Sequence, residues 1–93
     1  MKVTGRIVAK GDVISGESSN GQPWSKQTVV VEYNAEYHRQ AAIEFFGDDK
    51  VKKLETLKLG DLVTADFGVD SHFYGDKWYT TLKGYELATY TPQ

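Results

Sequence analysis

The stretch Phe45-Phe46-Gly47-Asp48-Asp49-Lys50-Val51-Lys52-Lys53-Leu54-Glu55-Thr56-Leu57-Lys58-Leu59-Gly60 decides how the rest of the chain is read. Val51, Leu54 and Leu57 recur at i, i+3 and i+6 between Gly47-Asp48 and Gly60, a helical period with a polar entry and a glycine exit. Asp48 is the expected N-cap, and about three turns of helix follow it. A single narrow apolar stripe suits a helix that plugs one opening of a barrel.

Outward from this helix, every other patterned segment alternates with period two. Lys2 to Lys10 reads as a first strand, with Val3, Ile7 and Ala9 on one face and Thr4, Arg6, Val8 and Lys10 on the other. Gly5 within it marks a place where the strand coils or is closely approached. Ser15 to Pro23 is a polar, turn-rich loop around Asn20-Gly21. In the second strand, Trp24 to Asn34, residues Gln27, Val29 and Val31 alternate with Lys26, Thr28, Val30 and Glu32. A short connection, Asn34 to Tyr37, leads to the third strand, His38 to Phe46, whose core face is Ala41, Ile43 and Phe45. After the helix, Val63, Ala65, Phe67 and Val69 alternate with Leu62, Thr64, Asp66, Gly68 and Asp70. His72 to Lys77 is the expected hairpin loop, and Trp78 to Leu87 the fifth strand, with Trp78 in the core.

Three strands, one short helix and two further strands is the element order of an all-β, five-stranded OB-fold Greek-key barrel with its helix between strands 3 and 4. Residues 1–88 are expected to form one such domain and residues 89–93 a frayed C-terminal tail. Ninety-three residues leave no room for a second fold. No uninterrupted apolar run exceeds three residues, as in Val29 to Val31, so no membrane span or signal-peptide core is expected. The chain has no cysteine, which removes disulfides and thiolate metal sites and fits a cytoplasmic location.

Catalytic patterns are missing from the sequence. His38 and His72 stand alone, the glycines form no phosphate loop, and Asp66 and Asp70 read as a solvated strand face. No enzyme activity, cofactor or metal is therefore expected. Eleven Lys and Arg against thirteen Asp and Glu give a net charge of −2, so any binding of nucleic acid must rest on a local patch and on stacking. Aromatic residues outside the core supply such stacking: Trp24 at the start of the second strand, Phe46 at the end of the third, and Phe73, Tyr74 and Tyr79 around the second hairpin. Phe46 either stacks on a base or covers the helix start. Arg6, Lys10, Lys26, Arg39, Lys77 and Lys83 are candidate phosphate contacts, with Lys26, Arg39 and Lys77 foremost.

Five segments together resemble bacterial single-stranded-DNA-binding proteins and short primosomal OB proteins, and more closely a small uncharacterised bacterial family of OB-like proteins. They are Val3-Thr4-Gly5-Arg6-Ile7, Asn20-Gly21-Gln22-Pro23-Trp24-Ser25-Lys26-Gln27, Phe45-Phe46-Gly47-Asp48-Asp49-Lys50, Leu59-Gly60-Asp61-Leu62-Val63 and Lys77-Trp78-Tyr79-Thr80-Thr81. The resemblance implies that Phe46, just before a glycine at the end of the third strand, stacks on a base. Other features depart from that family: the outer row of the third strand reads His38, Gln40, Ala42, Glu44, with Glu32 nearby, and no long acidic tail is expected after Thr91-Pro92-Gln93. The expected function is non-enzymatic binding of single-stranded DNA or RNA with little sequence preference, by a homodimer or higher homo-oligomer whose linked sites add avidity. The alternative is an OB-fold module for protein–protein assembly that uses the same aromatics.

Overall fold

Seven segments form regular structure in the computed structural model, which describes residues 1–34 and 36–91. They are β1 (Lys2–Lys10), β2 (Ile14–Glu17), β3 (Pro23–Asn34), β4 (Arg39–Phe46), α1 (Asp48–Glu55), β5 (Leu62–Tyr74) and β6 (Lys77–Thr89). β1 pairs with β5 through Lys2 to Arg6 and with β3 through Arg6 to Lys10. β3 pairs with β4, β4 runs parallel to β6, and β6 returns to β5. The ring β1-β3-β4-β6-β5 is thus the five-stranded barrel expected from the sequence, with α1 between its third and fourth strands.

β2 is a sixth strand where a loop is expected. β3 outruns β1, and Ile14 to Glu17 pair with its first four residues, Pro23 to Lys26, continuing the line of β1. Only Ser18 to Gln22 form the turn, closed by the Ser18 amide donating to the Gln22 carbonyl at 2.8 Å. Four residues are too few for alternation to register as a strand signal.

A one-residue bulge bends β1. Ile7 lies opposite Val31 and Ala9 opposite Val30, so Val8 is unmatched and the side-chain parity reverses after it. Ala9, expected on the same face as Val3 and Ile7, is exposed. Lys10 turns inward, and its Nζ donates to the Leu54 and Leu57 carbonyls at the C-terminal end of α1, at 2.7 and 3.0 Å. Positive charge there is favourable because the last helical carbonyls lack intrahelical partners. Lys10 is therefore a helix cap rather than a phosphate contact, and Arg6 is similarly engaged with the Gly60 carbonyl at 2.9 Å.

The helix is shorter than expected, a little over two turns. Gly47, with φ 118°, holds the N-cap position in place of Asp48, and the Asp48 carboxylate instead accepts from the Ser25 hydroxyl. Its stripe is as expected: Val51, Leu54 and Leu57 are buried, and α1 closes one end of the barrel over β3 and β4. The core beneath it combines Ile7, Val29, Val31, Ile43, Phe45, Val63, Ala65, Phe67 and Leu87.

The largest departure lies between β5 and β6. The expected loop His72 to Lys77 is ladder, with Tyr74 opposite Lys77 and only Gly75-Asp76 in the turn. A positive φ of 67° at Gly75, the first central residue, marks a type II′ hairpin. The two strands run past the barrel as a free ribbon, which leaves Val69, of the row of Val63, Ala65 and Phe67, and Trp78, expected in the core, exposed to 54% and 70%. At the other end β6 extends to Thr89, and the Tyr90 amide still donates to the Leu62 carbonyl at 2.9 Å. The expected tail is thus partly ladder; Pro92 and Gln93 of that tail, and Ala35 of the β3–β4 connection, lie outside the described residues. Among the described residues no helix is long and apolar enough to cross a membrane.

Two buried glycines admit close approach within the barrel. A Cβ on Gly5 would sit 2.1 Å from the Glu32 carbonyl oxygen, and one on Gly84 would sit 2.3 Å from the Phe45 ring. Gly84→Ala is expected to destabilise the fold by about 2 to 3 kcal/mol, since Phe45 is boxed in by the core. Lys10→Met should cost about 1 to 2 kcal/mol through the lost cap. Urea unfolding followed by circular dichroism measures both.

Candidate nucleic-acid interface

Because Ser25, Gln27, Val29 and Val31 of β3 and Ala41, Ile43 and Phe45 of β4 face inward, the intervening residues face out. Register then fixes the neighbours on this outer surface. Lys26 stands opposite Phe46, Thr28 opposite Glu44, and the parallel β4–β6 pairing sets Glu44 beside Lys83. Trp24 stacks on Phe46 with ring centroids 5.8 Å apart and planes inclined by 25°. The back of the indole lies against Gly16 of β2, so Trp24 is half-buried while Phe46 is 55% exposed. Phe46 therefore presents a free face to solvent, beside Lys50 of the first turn of α1.

Tyr85 lies on the other side of Phe46. It is the extra residue of a bulge in β6, where Gly84 pairs with Phe67 and Glu86 with Asp66. Its phenol lies across Gly68, and it shares with Phe46, Glu44, Lys50, Lys83 and Gly84 a concavity of about 270 Å³. The surface so formed runs from Trp24 through Phe46 to Tyr85, a spacing of flat aromatic groups suited to unstacked bases.

Charge on this surface is alternating rather than uniformly basic. Lys26 pairs with Glu44 at 3.7 Å, and Lys83 with Asp70 at 3.3 Å. Glu32, the other acidic departure noted in the sequence, accepts from Gln40 at 3.1 Å and lies 3.8 Å from His38. Glu32, Glu44 and Asp70 are each thus attended by a donor or cation. Asp66 is drawn toward the N-terminal amine at 3.7 Å, so it and Asp70 are held by separate cations instead of facing one site.

The ribbon divides the remaining candidates between two faces. Tyr74, Lys77 and Tyr79 lie on the side that continues the outer face, where Tyr79 stacks with His72 at 5.9 Å and 25°. Phe73 lies on the reverse side, packed at 5.4 Å against Trp78. Adjacent in sequence, Phe73 and Tyr74 point opposite ways because both belong to a strand. Arg39, the first residue of β4, has the parity of Ala41 and Ile43 and is not in the row of Phe46 and Glu44. The structure therefore brings together Trp24, Lys26 and Phe46, extends them toward Tyr79, Tyr74 and Lys77, and separates Phe73 and Arg39 from them. Tyr85 and Lys50 were not singled out by the sequence.

The family model for Domain of unknown function (DUF3127) matches residues 2–88, and the chain belongs to that family. No curated protein matches it. Among solved structures it is similar to the mitochondrial single-stranded DNA binding protein Rim1 of S. cerevisiae, with 17% sequence identity and a TM-score of 0.67. That likeness covers 96% of this chain and 91% of that one, and it bears out the OB fold and the resemblance read from the sequence.

Exposure separates the two stacked rings by consequence. Phe46→Ala is expected to leave stability within about 1 kcal/mol of the parent. Trp24→Ala should cost about 1 to 2 kcal/mol, because the indole buries one face on Gly16. Thermal unfolding of the two variants tests this order.

Proposed function

We propose that this member of the DUF3127 family binds single-stranded nucleic acid, DNA in the first instance, with little sequence preference and without catalysis. The observation that carries this reading is the exposed Trp24–Phe46 stack, continued by Tyr85 across a shallow concavity with lysines at its rim. Bases stack on Phe46, Tyr85 and the free parts of Trp24, at about 1 to 3 kcal/mol each. Lys26, Lys50 and Lys83 contact the phosphates, and the strand continues along Tyr79, Tyr74 and Lys77 on the ribbon. Fold likeness to a protein whose name states that it binds single-stranded DNA supports the ligand class. A chain without cysteine suits the reducing cytoplasm, where such a ligand is met.

The ion pairs explain how a chain of net charge −2 accepts a polyanion. Lys26 and Lys83 already hold a carboxylate at 3.7 and 3.3 Å, and at these two positions a phosphate replaces that partner. The gain per contact is the difference between two exposed ion pairs, which is small. Stacking must then supply most of the affinity.

Because Trp24 and Trp78 lie on opposite faces, Trp78→Phe leaves one reporter in the site. Titrating this variant with an oligo(dT) of about thirty nucleotides at low salt is expected to quench Trp24 fluorescence saturably. The slope of log affinity against log salt should be shallow, about −2 to −3, for four lysines on a single strand. Phe46→Ala should weaken binding about tenfold or more. Absence of quenching from folded protein at low salt would refute the reading.

A further inference from the structure

The reverse face of the β5–β6 ribbon has no use in the site described above. It consists of three cross-strand pairs, Val69 with Leu82, Ser71 with Thr80, and Phe73 with Trp78. None of the six is charged, although 26% of the chain is. Trp78 is 70% exposed and Phe73 56%, and they pack on each other at the tip. Ser71 and Thr80 satisfy one another through a hydroxyl–hydroxyl hydrogen bond of 2.9 Å, so the middle of the face needs no outside polar partner.

At its foot the face runs into the barrel end opposite α1. There Val3, Tyr33, Ala41, Phe67, Val69 and Leu82 line a recess of about 450 Å³. Protruding aromatics and an apolar recess thus occur side by side on one chain. That is the arrangement an isologous two-fold contact requires, since each copy must offer both knob and hole.

We propose that this face is a homodimer interface: two ribbons pack reverse face to reverse face, and Trp78 and Phe73 of each copy cover the recess of the other. Area sets the strength of the contact a second copy would make. With about 150 to 250 Å² for a fully covered aromatic side chain, Trp78 at 70% and Phe73 at 56% exposure offer on the order of 200 to 300 Å² per copy, to which the rest of the ribbon face and the recess add; this is below the roughly 800 Å² per partner of a standard interface and in the range of a reversible one. The absence of charge on the face also keeps two copies of a net-negative chain from repelling one another where they meet. This contact is independent of whether the outer face binds nucleic acid.

The test uses the full chain without nucleic acid. Light scattering after size exclusion should give twice the 10.4 kDa chain mass, and Trp78→Glu should raise the dissociation constant about a hundredfold or more while far-ultraviolet circular dichroism is unchanged. Ser71→Arg, at an exposed ribbon position, serves the same purpose if the first variant does not fold. Since the chain lacks cysteine, Thr80→Cys on the reverse face should form a disulfide-linked dimer under mild oxidation, and Thr81→Cys on the outer face should not. A monomer at high micromolar concentration overturns the proposal, as does a monomer whose recess instead takes up an apolar dye. So does a dimer that survives both substitutions, or one that crosslinks equally through position 81.

Discussion

The whole structure depends on β1 pairing along both of its edges. Its first half serves β5 and its second half β3, and Arg6 pairs with both Leu62 and Glu32. One short strand can do this only by bending, which the bulge at Val8 provides, and by passing close to β3, which Gly5 permits. Without that contact the sheet has two open edges and its inner face meets water. Closure also turns Lys10 inward onto the end of α1, so the strand that shuts the barrel wall also fastens the helix that shuts one end.

Closure has a second consequence at the opposite end. β1 pairs with β5 only through Asp66, with a last backbone contact from Met1 to Phe67, whereas β5 continues to Tyr74. The excess length of β5 and β6 has nowhere to go but outward. Their inward parity, which inside the barrel buries Val63, Ala65 and Phe67, then points Val69 and Phe73 at solvent. An apolar surface is thereby produced by the same alternation that makes the core.

This accounts for what was legible in the sequence. The helix stripe of Val51, Leu54 and Leu57, the inward rows of β3 and β4 and the element order were readable because each is a regular period sustained over several residues. Ala9 and Tyr85 were misread or missed because a bulge adds one residue to a period of two, and alternation does not reveal on which side of the insertion a residue falls. For Tyr85 a signal existed: core parity in β6 is even at Leu82 and odd at Leu87, and only an inserted residue between them reconciles the two. Trp78 was misplaced for a different reason. Its pattern is that of a core strand, and nothing local records that the barrel has ended before it is reached. Phe46, by contrast, sits on the outward parity next to a glycine, and its exposure follows from the alternation alone.

The two faces of the ribbon bear on affinity together. In the proposed function, a single outer face with three aromatic rings, and with Lys26 and Lys83 already paired to carboxylates, gains little from the phosphates at those two positions, so a monomer would hold a strand weakly. Contact through the reverse face leaves Trp24, Phe46 and Tyr85 uncovered on both copies. A strand long enough to reach from one to the other then meets its second site at an effective concentration set by the dimer rather than by solution, and gains avidity without any new contact in either site. In such a design selectivity for length replaces selectivity for sequence: short oligonucleotides engage one face, longer ones two. Under the function and the contact proposed above, the charge-free reverse face and the outer face of alternating charge are complementary, each compensating for what the other lacks.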